Sequence, residues 1–177
     1  MKVLIPLAAR SPFFPPEEYH FPVPLIEVNG IPIIQLVVDN LSVINPDIEF
    51  IFVALTDECR AFSLDNIFRL VTNNKCTVVE LQQPTMGALC SSLMAIEYFN
   101  DDEPLIIANA DQVFDLNLST VVQDFQTRNI DAAVISFDTV HPRWSYIVVD
   151  DNRNIVEVTA KQVVSRLGVA GFYYFSR

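Results

Sequence analysis

Glycine is scarce in this chain: Gly30, Gly87, Gly168 and Gly171 are the only four in 177 residues, and none precedes position 30. Backbone that must approach a phosphate closely relies on glycine, so no glycine-rich phosphate nest is available near the N-terminus. Cysteine is also sparse. Cys59, Cys76 and Cys90 show no paired spacing and no metal-ligand pattern, which argues against a disulfide framework and for free, buried thiols in a reducing cytosol. Cations are few, 11 Lys and Arg against 22 Asp and Glu, for a net charge of −11. That surface repels phosphate backbones, so nucleic acid is not an expected partner. A small phosphorylated substrate meets the local field instead. No apolar run reaches transmembrane length. The N-terminal apolar stretch is too short for a signal peptide and is broken by Pro6, so a cytoplasmic protein without membrane contact is expected. No Ser-His-Asp or Cys-His constellation stands out, and there is no internal repeat.

What the chain does have is apolar content, 51%, which excludes disorder and suits one domain over residues 1–177. Its most informative stretch is Leu105-Ile106-Ile107-Ala108-Asn109-Ala110-Asp111, with Asp115 four residues on. An apolar run of this kind reads as a buried strand of a parallel sheet. Ligands of open α/β sheets bind at the carboxyl ends of strands. An acid there can hold Mg²⁺ against nucleotide phosphates, since a hard cation takes oxygen ligands. Asp111 can equally cap the following turn, or form an acid–base pair with Asp115.

Further strands are expected at 2–8, 48–55, 76–81, 104–109 and 131–137. Residues 9–24 form a Pro-rich loop, of which 10–22 should be loosely shaped without ligand. Asn29-Gly30 gives a turn, and Ile33, Ile34, Val37, Val38, Leu41 and Ile44 carry a helical stripe over 31–44. Asp57 is positioned to cap one helix running to about Val71. Met86-Gly87 opens a helix over 87–99 carrying Leu89, Leu93 and Ile96, and another helix lies near 118–128. Strands alternating with helices indicate βαβ units. The last third differs: 146–149 and 155–158 flank a polar turn containing Asp150 and Asp151, and 169–175 is a last strand. The chain ends directly after it, so a domain cut short at its C-terminus is expected.

In this order the segments resemble the sugar-phosphate nucleotidylyltransferases over essentially the whole chain. Ile5-Pro6-Leu7-Ala8-Ala9-Arg10 and Pro22-Val23-Pro24-Leu25 sit where the family has its phosphate loop and Pro-Lys-Pro-Leu. Gln82-Gln83-Pro84-Thr85-Met86-Gly87-Ala88 resembles the base-recognition stretch, and Asn109-Ala110-Asp111 the metal-binding turn. Val156-Glu157-Val158-Thr159-Ala160-Lys161 with Gly171-Phe172-Tyr173 looks like the sugar-phosphate strands. The resemblance implies an α/β, Rossmann-like three-layer sandwich: a mixed, mostly parallel sheet plus a C-terminal hairpin, the nucleotide-diphospho-sugar transferase fold. It implies Mg²⁺-dependent joining of a nucleoside triphosphate to a sugar phosphate or similar phosphorylated acceptor, with release of pyrophosphate.

By the same resemblance, Asp111 would be catalytic and the metal ligand; Arg10, directly after the first strand, is placed to reach a phosphate bidentately as a second catalytic group, or else is a solvated loop Arg. Leu7, Ala8, Ala9, Gln82, Gly87 and Ala88 would bind the nucleotide. Asn109, Glu157, Lys161 and Gly171 would bind the acceptor; Trp144 and Tyr146, from their own aromatic chemistry, could wall the substrate pocket or equally pack in the core where the hairpin meets the sheet, and a homo-oligomer is possible. The pattern is broken in places. Ala9 and Ser11 stand for loop glycines, Phe13 roughly for a loop Arg, Val23 for the Lys, and Ala160 for the acid before Lys161. A second metal acid is expected past Arg177. The departures keep two alternatives open, a non-catalytic nucleotide- or sugar-binding module and a related glycosyltransferase. His20, between Tyr19 and Phe21, is expected to pack in the loop.

Overall fold

Alternation of inward-pointing side chains to two faces organises this fold. The computed structural model describes residues 1–9, 14–15 and 18–176; Arg10, Ser11, Phe13 and Arg177 lie outside the described residues, as does much of the loop expected to be loosely shaped over 10–22. Chain order runs β1 (Lys2–Pro6), a small hairpin β2 (Glu27–Val28) and β3 (Ile31–Pro32), α1 (Ile33–Ser42), β4 (Glu49–Leu55), α2 (Thr56–Phe62) and α3 (Leu64–Val71). It continues with β5 (Cys76–Leu81), α4 (Ala88–Leu93), β6 (Leu105–Ala108), α5 (Leu118–Thr127), β7 (Ala132–Asp138), β8 (Tyr146–Val149), β9 (Ile155–Thr159) and β10 (Leu167–Phe175).

The main sheet has the order β5-β4-β1-β6-β10-β8-β9, with β7 also paired to β10. Strands β5, β4, β1 and β6 are mutually parallel, and β10 runs antiparallel to β6, β7 and β8. This is the mixed sheet the sequence implied. Along β1 and β4 successive residues enter opposite cores. Val3, Ile5, Phe50 and Phe52 join the larger one, with α1, α3 and α5 residues such as Val37, Phe68 and Val122. Leu4, Ile51 and Val53 join a smaller one, covered by Ala95 and Phe99. Phe52 stacks on Phe68 at 4.2 Å between centroids.

Three helical expectations need correction. The helix expected from Asp57 to Val71 is two helices, broken at Ser63, which is left-handed at φ 55°. The buried face of α2 is Thr56 and Cys59 and that of α3 is Leu64 and Phe68. A continuous helix would point Ser63 rather than Leu64 inward, so the break rephases the stripe. Asp57 lies within the first turn, after Leu55 at the cap. The helix expected over 87–99 is only α4 plus a 3-10 turn at Ile96–Tyr98. Its Leu89, Leu93 and Ile96 are exposed, while Ser91, Ser92 and Ala95 are buried. The cysteines are free, as expected, but Cys76 is half-buried and Cys90 exposed. Burial pushes the Cys59 thiol up to about 11, with Glu80, Asp65 and Glu58 adding to the shift.

Candidate functional site

Parallel strands deliver their carboxyl ends to one edge of the sheet, and a cavity of about 480 Å³ opens there. Pro6 ends β1 and Leu7 follows it, Leu55 ends β4, and Asn109, Ala110 and Asp111 follow β6; all line it. Pro84 and Ala88 contribute the wall before α4, and Glu58 and Phe62 of α2 the opposite one. Tyr19, His20, Phe21 and Val23 close the remaining side. Here Phe21 meets the edge of Phe62 at 6.0 Å. His20 packs edge-on to Phe21 at 5.2 Å, which agrees with a loop-packing role.

Backbone hydrogen bonds fix the β1 end of the cavity. Leu7 N donates to Val53 O at 2.7 Å, and Thr85 N to Ala8 O at 3.2 Å. The Thr85 hydroxyl lies 2.6 Å from Ser91 Oγ, tying the 84–88 wall to α4. Gly87 before α4 has φ 155° and ψ 177°, a region open essentially to glycine alone.

The Asp111 turn is held from two directions. Asn109 N donates to Gly171 O at 2.8 Å, and Gly171 N donates to Gln112 Oε1. On the far side Asn40 of α1 clamps Phe114 reciprocally: its Nδ2 donates to Phe114 O at 3.0 Å and its Oδ1 accepts from Phe114 N at 2.8 Å. Burial pushes the Asp111 carboxyl above the usual carboxylate range, and a hydrogen bond from its own backbone offsets part of this. Among the described residues no Lys or Arg lines the cavity, and no group of three His, Cys, Asp or Glu is placed to hold a metal. Asp111 and Asn109 both line the cavity, which leaves one carboxylate for a divalent ion whose other ligands would be substrate oxygens and water. Mg²⁺ commonly needs only one or two protein carboxylates.

Of the anticipated site residues, the structure gathers Leu7, Ala9, Ala88, Asn109 and Asp111 around the cavity. Gly171 reaches it indirectly, through Asn109 and Gln112. Ala8 is fully buried and presents only its carbonyl, to Thr85. Gln82 is exposed, with Nε2 3.4 Å from Thr56 Oγ1, and does not line the cavity. Tyr146 is a core residue whose hydroxyl donates to His141 O at 2.7 Å, and Trp144 packs edge-on to Phe137. Glu157 and Lys161 are exposed on and just after β9, at the sheet's far margin. Asp115 is exposed and outside the cavity, so the pairing with Asp111 does not form. Asp150 is a turn acid, as read, accepting from the backbone N–H of Asn152 and Asn154. Arg10 lies outside the described residues. The sequence reading missed Glu58, Asn40 and Gln112. Glu58 had a signal, an acid just past the end of an apolar strand, as with Asp111.

The model of the nucleotidyl transferase family matches residues 19–177. The chain belongs to that family. None of the curated proteins matches it. Among solved structures it is similar to a nucleoside-diphosphate-sugar pyrophosphorylase from Vibrio cholerae RC9, with a TM-score of 0.75 at 16% identity over 99% of this chain and 72% of that one. It is also similar to a UDP-glucose pyrophosphorylase complexed with UDP-glucose, with a TM-score of 0.75 at 18% identity over 99% and 75% of the respective chains. Such likeness establishes the nucleotide-diphospho-sugar transferase fold. Among the described residues no helix is long and apolar enough to cross a membrane.

Proposed function

We propose that the chain transfers a nucleotidyl group from a nucleoside triphosphate to a sugar phosphate or similar small phosphorylated acceptor, releasing pyrophosphate. The observation that carries this reading is the convergence of the β1 end, the 84–88 wall and Asp111 on one cavity. An acceptor phosphate oxygen would attack the α-phosphorus as the bond to the β-phosphate oxygen breaks and pyrophosphate leaves. Chemistry of this kind rests on positioning and charge stabilisation. Bound Mg²⁺ would supply charge neutralisation at the phosphates. Asp111 would hold that ion, while Asn109 and Gly171 fix the turn that aims it. Leu7, Ala9 and Ala88 would shape the nucleotide pocket. Arg10, next to Ala9 in sequence, is the candidate phosphate-binding cation.

A second reading has its own observation. Val23 lines the cavity where the family pattern would place a Lys, and Val cannot stabilise phosphoryl charge. A module that binds nucleotide without turnover matches that lining. Pyrophosphate release with Mg²⁺, triphosphates and candidate sugar phosphates separates the two. On the enzyme reading, Asp111→Asn lowers turnover by about 100-fold or more, the scale of a lost electrostatic group, and Val23→Lys raises it. If the wild type releases none and Val23→Lys creates none, the enzyme reading falls. Nucleotide binding that persists in calorimetry then supports the binding module.

A further inference from the structure

One side of the cavity plays no part in holding nucleotide or metal, and it is aromatic. Phe14 and Tyr19 meet at 5.2 Å and 77°, His20 and Phe21 at 5.2 Å and 68°, and Phe21 and Phe62 at 6.0 Å and 70°. All five line the cavity. Phe21 is 52% exposed, so the core does not consume its ring. Rings crossed this steeply form corners rather than a flat platform. A flat base or sugar ring covers one ring at a time in such a corner, whereas a rounded ammonium group meets several, as in aromatic cages.

Charge selects the same occupant. Among the described residues no Lys or Arg lines the cavity, whereas Asp111 does. The chain carries −11 overall, and any phosphorylated acceptor brings further negative charge. A neutral sugar leaves that excess in place. A positive group on the acceptor offsets it and is drawn to the negative faces of aromatic rings. Resting on the nucleotidyl-transfer reading above, we propose that the acceptor is a phosphorylated alkylammonium alcohol. Its ammonium group sits among Tyr19, Phe21 and Phe62, and its phosphate is turned toward the Asp111 turn. An acceptor phosphate oxygen forms the bond to the α-phosphorus, the bond to the bridging oxygen breaks, and its electron pair leaves with pyrophosphate. The ammonium group keeps its bonds and its charge throughout.

Choline phosphate and its carbon isostere, 3,3-dimethylbutyl phosphate, share a shape and differ in charge. Calorimetric titration of each into the wild-type protein with Mg²⁺ therefore reads the ammonium group alone. Choline phosphate should bind tighter by about 5–30-fold, the scale of a cation on partly desolvated rings. Phe21→Leu and Phe62→Leu keep apolar bulk and remove the ring faces. Each should weaken choline phosphate by about threefold or more and leave the isostere unchanged, and Phe21→Leu, at an exposed position, should keep the wild-type melting temperature. Pyrophosphate release from the four common triphosphates should be faster with choline phosphate than with glucose 1-phosphate. Equal affinity for the two titrants, or both weakened alike by the variants, overturns the proposal. Faster release with glucose 1-phosphate also overturns it and leaves nucleotidyl transfer standing. Release with no acceptor removes nucleotidyl transfer, and with it the acceptor role; charge-dependent binding lost in Phe21→Leu then still identifies the aromatic corner as an ammonium site.

Discussion

Replacing Gly171 with alanine tests the link between β10 and the Asp111 turn. A Cβ built there lies 2.2 Å from Asn109 Cγ and Nδ2 and 2.6 Å from Gln112 Oε1. No real contact is so short, so both side chains must move. Asn109 is held through its backbone to Gly171 O at 2.8 Å, and Gln112 accepts the Gly171 N–H. Overpacking of this kind costs about 1–3 kcal/mol, with roughly 1 kcal/mol more where the hydrogen bond is lost. At about 2–4 °C per kcal/mol for a domain of this size, the melting temperature should fall by roughly 2–16 °C. Gln112→Ala should cost about 1–2 kcal/mol alone. The double variant should cost less than the two together by about 0.5 kcal/mol or more, since removing Gln112 vacates part of the space the methyl needs. Urea unfolding of the four proteins closes this cycle. A Gly171→Ala variant within about 0.5 kcal/mol of wild type, or strict additivity, would refute the close-approach argument.

Other consequences can be checked in the same way. Burial raises the Asp111 pKa in the fold, so this group's contribution to stability is greatest below its unfolded pKa and is lost as pH rises through the folded one. Asp111→Asn should therefore raise the melting temperature of the ligand-free protein at pH 7, and the gain should vanish near pH 3; a gain that grows on acidification would contradict the assignment. Asn40→Ala removes both partners of Phe114 and should cost about 1–3 kcal/mol in urea unfolding. Asn117, whose Oδ1 accepts from Thr120 N at 3.1 Å, caps α5, and Asn117→Ala should cost about 1 kcal/mol by the same measurement. Phe68→Ala opens a cavity beneath the Phe52 stack and should cost about 3–5 kcal/mol.

The sequence alone determined the strands of the parallel half, because an apolar run bounded by turn residues has few other ways to satisfy its backbone. Residues 104–109 and 76–81 were legible for that reason, as was the α1 stripe. Asp111 was legible as a site candidate, since the carboxyl end of a buried parallel strand opens on a crevice whatever the rest of the fold does. Tertiary structure decided the remainder. Whether Leu89 and Leu93 face the core depends on which side of α4 meets the sheet, and Ser91, Ser92 and Ala95 take the buried positions instead. The break at Ser63 depends on phase against the same sheet. Tyr146 and Trp144 were aromatic enough for either a pocket or a core, and only the pairing of β8 and β9 beyond β10 decided it. That pairing carried Glu157 and Lys161 to the far margin of the sheet. The partners of the Asp111 turn, Asn40, Gln112 and Gly171, lie up to 74 residues from what they hold. Each is a polar or small residue with no periodicity of its own, and its role exists only once the chain has closed around it.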